Sequence, residues 1–291
     1  METDKGKIQR SIDSLLSELI NELESKLRLS IESITIVGSY GIKRISLARP
    51  NINIFIFLKT NARSDNILEI GRIFYKIAEK YKKHFSVKID AFPYRLGQRI
   101  GHKTLELVLS PHIVFMSEKD ANPPFGIPSN VLDAMRSTRK VVFGSDPLRR
   151  MNLNYTKQDI LQWAFFDICY LFKKMIVHTP LSYNITKNND LLTEEILSFG
   201  KNALIWGVQL FLSEKDLNLK KHYGIIQDKS KLVDFFIKKD SELGKCAKVI
   251  IDARSNFLEY KKSKRKTFAL YDSTYRAVCK VSNIILSQLG K

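Results

Sequence analysis

The chain is poor in several things, and each scarcity excludes a class of protein. Three cysteines in 291 residues, Cys169, Cys246 and Cys279, are too few and too scattered for a disulfide framework, which points to a reducing, cytoplasmic setting. The five histidines, His84, His102, His112, His178 and His222, have no ligand spacing and no neighbouring cysteine pair, so structural zinc is not expected. Long apolar runs are lacking too. The uncharged stretch around Trp206 extends only from Asn202 to Ser213, short of the ~20 residues a bilayer-crossing helix needs. No apolar run opens the chain, so neither a membrane span nor a secretory leader is expected. Acidic residues are the last shortage: 30 Asp and Glu face 48 Lys and Arg, for a formal net charge of +18.

What is present is enough apolar material, 44% of residues, to build about two packed domains. The positive excess is +9 up to Arg150 and +9 beyond it. An even spread describes a generally positive surface that attracts anions such as nucleotides or nucleic acid. The densest basic cluster, Lys261, Lys262, Lys264, Arg265 and Lys266, reads as a solvated loop between two helices, with phosphate binding as the alternative.

Apolar residues recur at helical spacing from Ile8 to Leu27, and again between Asp65 and Lys83. Between and after these helices come strands at Ser33 to Val37, Asn51 to Leu58, Phe85 to Phe92, Thr104 to Leu109, His112 to Met116 and Lys140 to Phe143. From Asp146 and Pro147 the pattern turns helical: Thr156 to Val177, Thr193 to Leu212, Lys229 to Lys239, Glu242 to Phe257 and Tyr271 to Leu289. The expectation is an α+β domain over 1–150 and a bundle of four or five helices over 151–291. Gly144-Ser145-Asp146 marks the junction, and the aromatics Trp163, Phe165, Phe166, Tyr170 and Phe172 are expected to face the bundle core.

The stretch most informative about chemistry runs from Ile34 to Leu58. A strand ends in Gly38-Ser39, where backbone N–H groups and a hydroxyl can receive phosphate. Lys43, Arg44 and Arg49 follow. The next strand then places Asn51 and Asn53 on one face by its period of two, and Asp90 ends a third strand that can lie alongside.

This arrangement resembles the nucleotidyltransferase superfamily, the polymerase-beta-like group that includes the minimal and antibiotic nucleotidyltransferases. The family pattern is a strand, Gly-Ser, about ten residues, an Asp-x-Asp pair on the next strand and a third acid on a later strand. Gly38-Ser39 matches the first element and Asp90 the third, while the pair is Asn51-Ile52-Asn53. The resemblance covers roughly residues 1 to 110 and implies a mixed sheet with flanking helices, followed by an all-α helical bundle. A helical-bundle ribonuclease motif of arginine and a following histidine is not matched around His178, where lysines precede it.

In the family the aspartate pair holds Mg2+ against the nucleotide triphosphate. Mg2+ prefers charged oxygens in octahedral array, and a carboxamide offers one neutral oxygen. The substitution therefore implies a catalytically degenerate protein with no metal expected. It would bind nucleotide, nucleic acid or a protein partner through Gly38, Ser39, Lys43, Arg44, Asn51 and Asn53. The runner-up is an active Mg2+-dependent enzyme moving a nucleoside monophosphate to a hydroxyl acceptor, with Asp90 as catalytic residue and metal ligand and Glu106 as a further acid. A third reading is a scaffold with no ligand, in a homodimer or beside a toxin-like partner.

Overall fold

The protein is described by a computed structural model covering residues 4–42, 50–90, 98–101, 105–115, 129–213, 216–217 and 219–289. It divides into two compact units, Met1–Asn154 and Tyr155–Lys291. The break lies beyond Arg150 because Leu148, Met151 and Leu153 all pack into the core of the first unit.

Among the described residues the first unit holds a six-stranded mixed sheet in the order β4-β3-β5-β2-β1-β6. The strands are β1 (Ile31–Val37), β2 (Asn51–Leu58), β3 (Ser86–Ile89), β4 (Gln98–Ile100), β5 (Glu106–Phe115) and β6 (Lys140–Gly144). β2 runs parallel to β5, and β5 parallel to β3; the other pairings are antiparallel. Ile52, Ile54, Ile56 and Leu58 on one face pack with residues of α1 (Asp4–Leu27) and α2 (Ser64–Tyr81), both amphipathic as their spacing requires. On the opposite face Phe55, Phe57 and Val114 pack with Leu132 of α3 (Ser129–Arg136) and Leu148 of α4 (Pro147–Arg150).

The sequence pattern places two strands at Thr104 to Leu109 and His112 to Met116, of which residues 104 and 116 lie outside the described ones. They are one strand. Pro111 shares its parity with Leu109, whose carbonyl accepts the Asp90 N–H on the β3 side. β3 has ended there, so the missing proline donor interrupts no ladder. β3 runs from Ser86 to Ile89 where a strand is expected from Phe85 to Phe92, residues 91 and 92 lying outside the described ones, and the sequence pattern does not anticipate β4 and α3; both are too short to show a period.

The second unit contains eight α-helices among the described residues rather than four or five. They are α5 (Lys157–Lys173), α6 (Thr179–Thr186), α7 (Asn189–Ser213), α8 (Leu219–Gln227), α9 (Lys229–Lys239), α10 (Ser241–Ser255), α11 (Phe257–Lys262) and α12 (Lys264–Leu289). A π turn, Lys174–His178, joins α5 to α6 ahead of Pro180, whose missing N–H cannot close a regular helical bond. Trp163, Tyr170 and Phe172 lie against the core as expected, whereas Phe165 and Phe166 are exposed.

α7 has the length and composition of a membrane span, more than its uncharged run suggested. However, 72% of its most apolar window is buried, which makes it a central core helix of the bundle. The basic cluster lies at the end of α11 and the first turn of α12, not in a loop. Lys261 is nearly buried there, 3.1 Å from Glu194 and 3.3 Å from Asp190, and Lys266 pairs with Glu259 at 2.6 Å.

Candidate nucleotide site

Strand register brings together residues far apart in sequence. Val37 stands opposite Asn53, and Asn53 opposite Ser110. Leu109 is opposite Ile89 and bonds the Asp90 N–H at 2.8 Å, so Asp90 continues the same row. The next row is Asn51, Val108 and Lys88, and Glu106 follows two residues before Val108. Period-two geometry puts all these on one face of the sheet. Deeper along that face come Phe55 and His112, stacked with ring centroids 4.5 Å apart, and then the apolar cover of α3 and α4. The face is polar at one end and apolar at the other.

The turn after β1 has its own physical reasons. Gly38 has φ of +81°, and a Cβ there would meet the Asn53 amide nitrogen at 3.3 Å, so glycine suits both the backbone and the approach. At Gly41 a Cβ would lie 2.1 Å from the Thr138 carbonyl oxygen, which requires glycine sterically. The Gly38 N–H donates to Thr138 Oγ1 at 3.1 Å. Tyr40 donates its hydroxyl to Asp13 of α1, and burial together with that carboxylate holds the phenol above its usual range. The turn is thus tied on both sides, and one N–H expected to receive phosphate is already used. Ser39 remains exposed. Lys43, Arg44 and Arg49 lie outside the described residues.

On the polar rows, Asn51 is exposed and its Oδ1 accepts from Ser110 Oγ at 3.3 Å. Asn53 and Asp90 are half-buried. Lys88 Nζ is 3.9 Å from Asp90 Oδ2, while Asp90 Oδ1 is buried with no hydrogen-bond partner among the described residues. His112 is driven down to about 4 by burial, so at neutral pH it is an uncharged part of the floor. The second Gly-Ser is structural: Ser145 Oγ bonds Glu32 at 2.5 Å, and Asp146 caps α4.

This donor set does not fit the Mg2+ that the motif implies. One carboxylate with an ammonium group beside it and two carboxamides, one already accepting a hydroxyl, supply too little negative charge for paired divalent cations. Glu106 does not complete it. It stands four residues from Ser110 on β5, about 13 Å along the strand, and cannot share an ion with Asp90. Among the described residues no three of His, Cys, Asp and Glu are grouped to hold a metal. Ser110 and Lys88 escaped the sequence because each is a single polar residue within an apolar strand, and Thr138 because it lies in a short polar stretch with no motif around it.

No family model matches the sequence, and no curated protein is significantly similar to it. Among solved structures the chain is similar to spectinomycin adenyltransferase from Enterococcus faecialis, determined with ATP and spectinomycin, with a TM-score of 0.53 over 94% of this chain and 98% of that one. Sequence identity is 9%, so the likeness is one of fold alone. The fold is that of a nucleotidyltransferase. The mixed sheet and the helical bundle that follows it in the chain both fall within that likeness.

Proposed function

We propose that the protein is a catalytically degenerate nucleotidyltransferase that binds a nucleotide, through its phosphates, without metal and does not transfer it. The observation that carries this reading is the row of Asn53, Ser110 and Asp90 with Asn51 and Lys88 beside it. It keeps the framework on which the resembling family places its metal-holding acids, yet presents carboxamides and a cation. Carboxamide N–H groups, the Ser39 hydroxyl and the Lys88 ammonium are all phosphate donors. Lys43 and Arg44 add positive charge in the same stretch of sequence. The three cysteines, which form no disulfide, accord with a cytoplasmic setting.

Isothermal titration with ATP, in EDTA and in Mg2+, tests the reading. Binding of equal strength in both, without turnover, is expected; tight binding strictly dependent on Mg2+ and accompanied by transfer overturns it.

A second reading rests on Asp90 Oδ1, a buried carboxylate oxygen with no hydrogen-bond partner among the described residues. In an active enzyme this carboxylate would take the proton of an acceptor hydroxyl. Labelled nucleotide transfer to hydroxyl acceptors, abolished by Asp90→Ala, is the result that favours this alternative.

A further inference from the structure

The second unit carries a feature that nucleotide binding does not use. From α5 through the π turn to α6, one side of the helical run holds Ile160, Leu161, Ala164, Ile168, Leu171 and Met175 in the bundle core. The other side should be polar in an ordinary bundle helix. Here Phe166, Val177, Leu181 and Ile185 recur at helical steps along it and are 56, 58, 60 and 74% exposed. Phe165 and Ile176 flank them. From Phe165 to Ile185 this stripe is about 30 Å long at 1.5 Å per residue. Exposed apolar surface of that extent marks an interaction site.

The charges along the run narrow the occupant. Between Ile168 and Asn189 there is no acidic residue, while Lys173, Lys174 and Lys187 are all present. Lys173 lies on the exposed side and Lys187, also exposed, ends α6. Lys174 pairs with Glu195 at 2.9 Å. Beside α6, Phe268 meets Tyr183 edge to face at 5.8 Å, with Lys264 5.6 Å above its ring. A second copy of this chain would face like charge with like charge. Single-stranded nucleic acid would satisfy the lysines and stack on the rings, but Val177, Leu181 and Ile185 have no ring to offer a base. A surface with phenylalanine and aliphatic residues along its middle, lysines within and around it, and no acid of its own from Ile168 to Asn189, with Glu195 beside it held by Lys174 and Asp272 by Arg276, matches the boundary of an anionic bilayer.

We propose that the α5–α6 face docks the protein in the plane of a membrane bearing anionic phospholipids, with Leu181 and Ile185 entering the acyl boundary and the lysines meeting headgroup phosphates. The test is co-sedimentation of the full chain with unilamellar vesicles of phosphatidylcholine alone, or mixed with phosphatidylglycerol. Binding to the mixed vesicles is expected. The double variant Leu181→Glu/Ile185→Glu should weaken it by about tenfold or more, because it removes apolar insertion and adds repulsion. Both side chains are exposed, so an unchanged thermal midpoint shows that the variant is folded.

Three results overturn the proposal. The chain can remain in the supernatant with both vesicle types. The double variant can bind as tightly as the original chain, which reduces the interaction to net charge. Light scattering can show a dimer that the double variant splits, which assigns the stripe to a second copy.

Discussion

The two faces of β2 were built under opposite demands. On one, Ile52, Ile54, Ile56 and Leu58 are buried along the whole strand beneath α1 and α2. On the other, the strand passes from exposed Asn51 through half-buried Asn53 to buried Phe55 and Phe57. The first face fills space with branched aliphatics and contributes stability through apolar area removed from water. The second stops filling space halfway, leaving carboxamides where two more apolar side chains would have added stability. One strand thus holds the sheet together on one side and presents polar groups on the other.

Substitutions that treat the faces differently sharpen this contrast. Ile54→Ala on the apolar face should cost about 2–5 kcal/mol, as a buried large-to-small change does, measured by urea unfolding. A loss below 1 kcal/mol would break the division of labour.

On the other face, burial lowers His112 from 6.5 to about 4. The unfolded chain therefore binds a proton that the folded one refuses. Stability is complete above about pH 6.5 and falls as the pH drops towards 4, by on the order of 3 kcal/mol. His112→Phe keeps a ring against Phe55 and should remove that part of the pH dependence, which unfolding curves at pH 7 and pH 4.5 would show.

Asn51→Asp/Asn53→Asp restores carboxylates beside Asp90. In EDTA it should destabilise by about 1–2 kcal/mol through like-charge repulsion. Added Mg2+ should recover that loss, read as a rise in thermal midpoint that the original chain does not show. Equal response of both proteins to Mg2+ would refute the account of the donor set. Smallest is Thr138→Val, which strips the Gly38 N–H of its acceptor at about 1 kcal/mol. Its separate readout is backbone amide exchange at Gly38, expected to accelerate.

Much of this was legible in the amino-acid order. The periods of α1, α2, β1 and β2, the Gly-Ser turn and the Asn-x-Asn pair are all local patterns, and local patterns survive folding when both faces agree with them. The helical second unit was legible as a class but not in its count. The π turn before Pro180, the break at Asn256 between α10 and α11 and the early start of α12 interrupt or extend helical runs without changing their apolar period. The basic cluster was legible as charge, but its placement was not, since the acids that neutralise Lys261 lie on α7, some seventy residues earlier in the chain.

By itself the sequence determined that Asn51 and Asn53 share a face and that Gly38 closes β1, because strand pleat and glycine conformation are properties of a few adjacent residues. Only the tertiary structure decided that Ser110 and Lys88 join them and that the Gly38 N–H is taken by Thr138. It also decided that Glu106 stands too far along β5 to serve Asp90, and that Phe165 and Phe166 point away from the core. Those outcomes depend on strand register, on which turn meets which, and on which side of a helix its neighbours cover. Each is settled by packing between segments remote in sequence, and no window along the chain contains both partners.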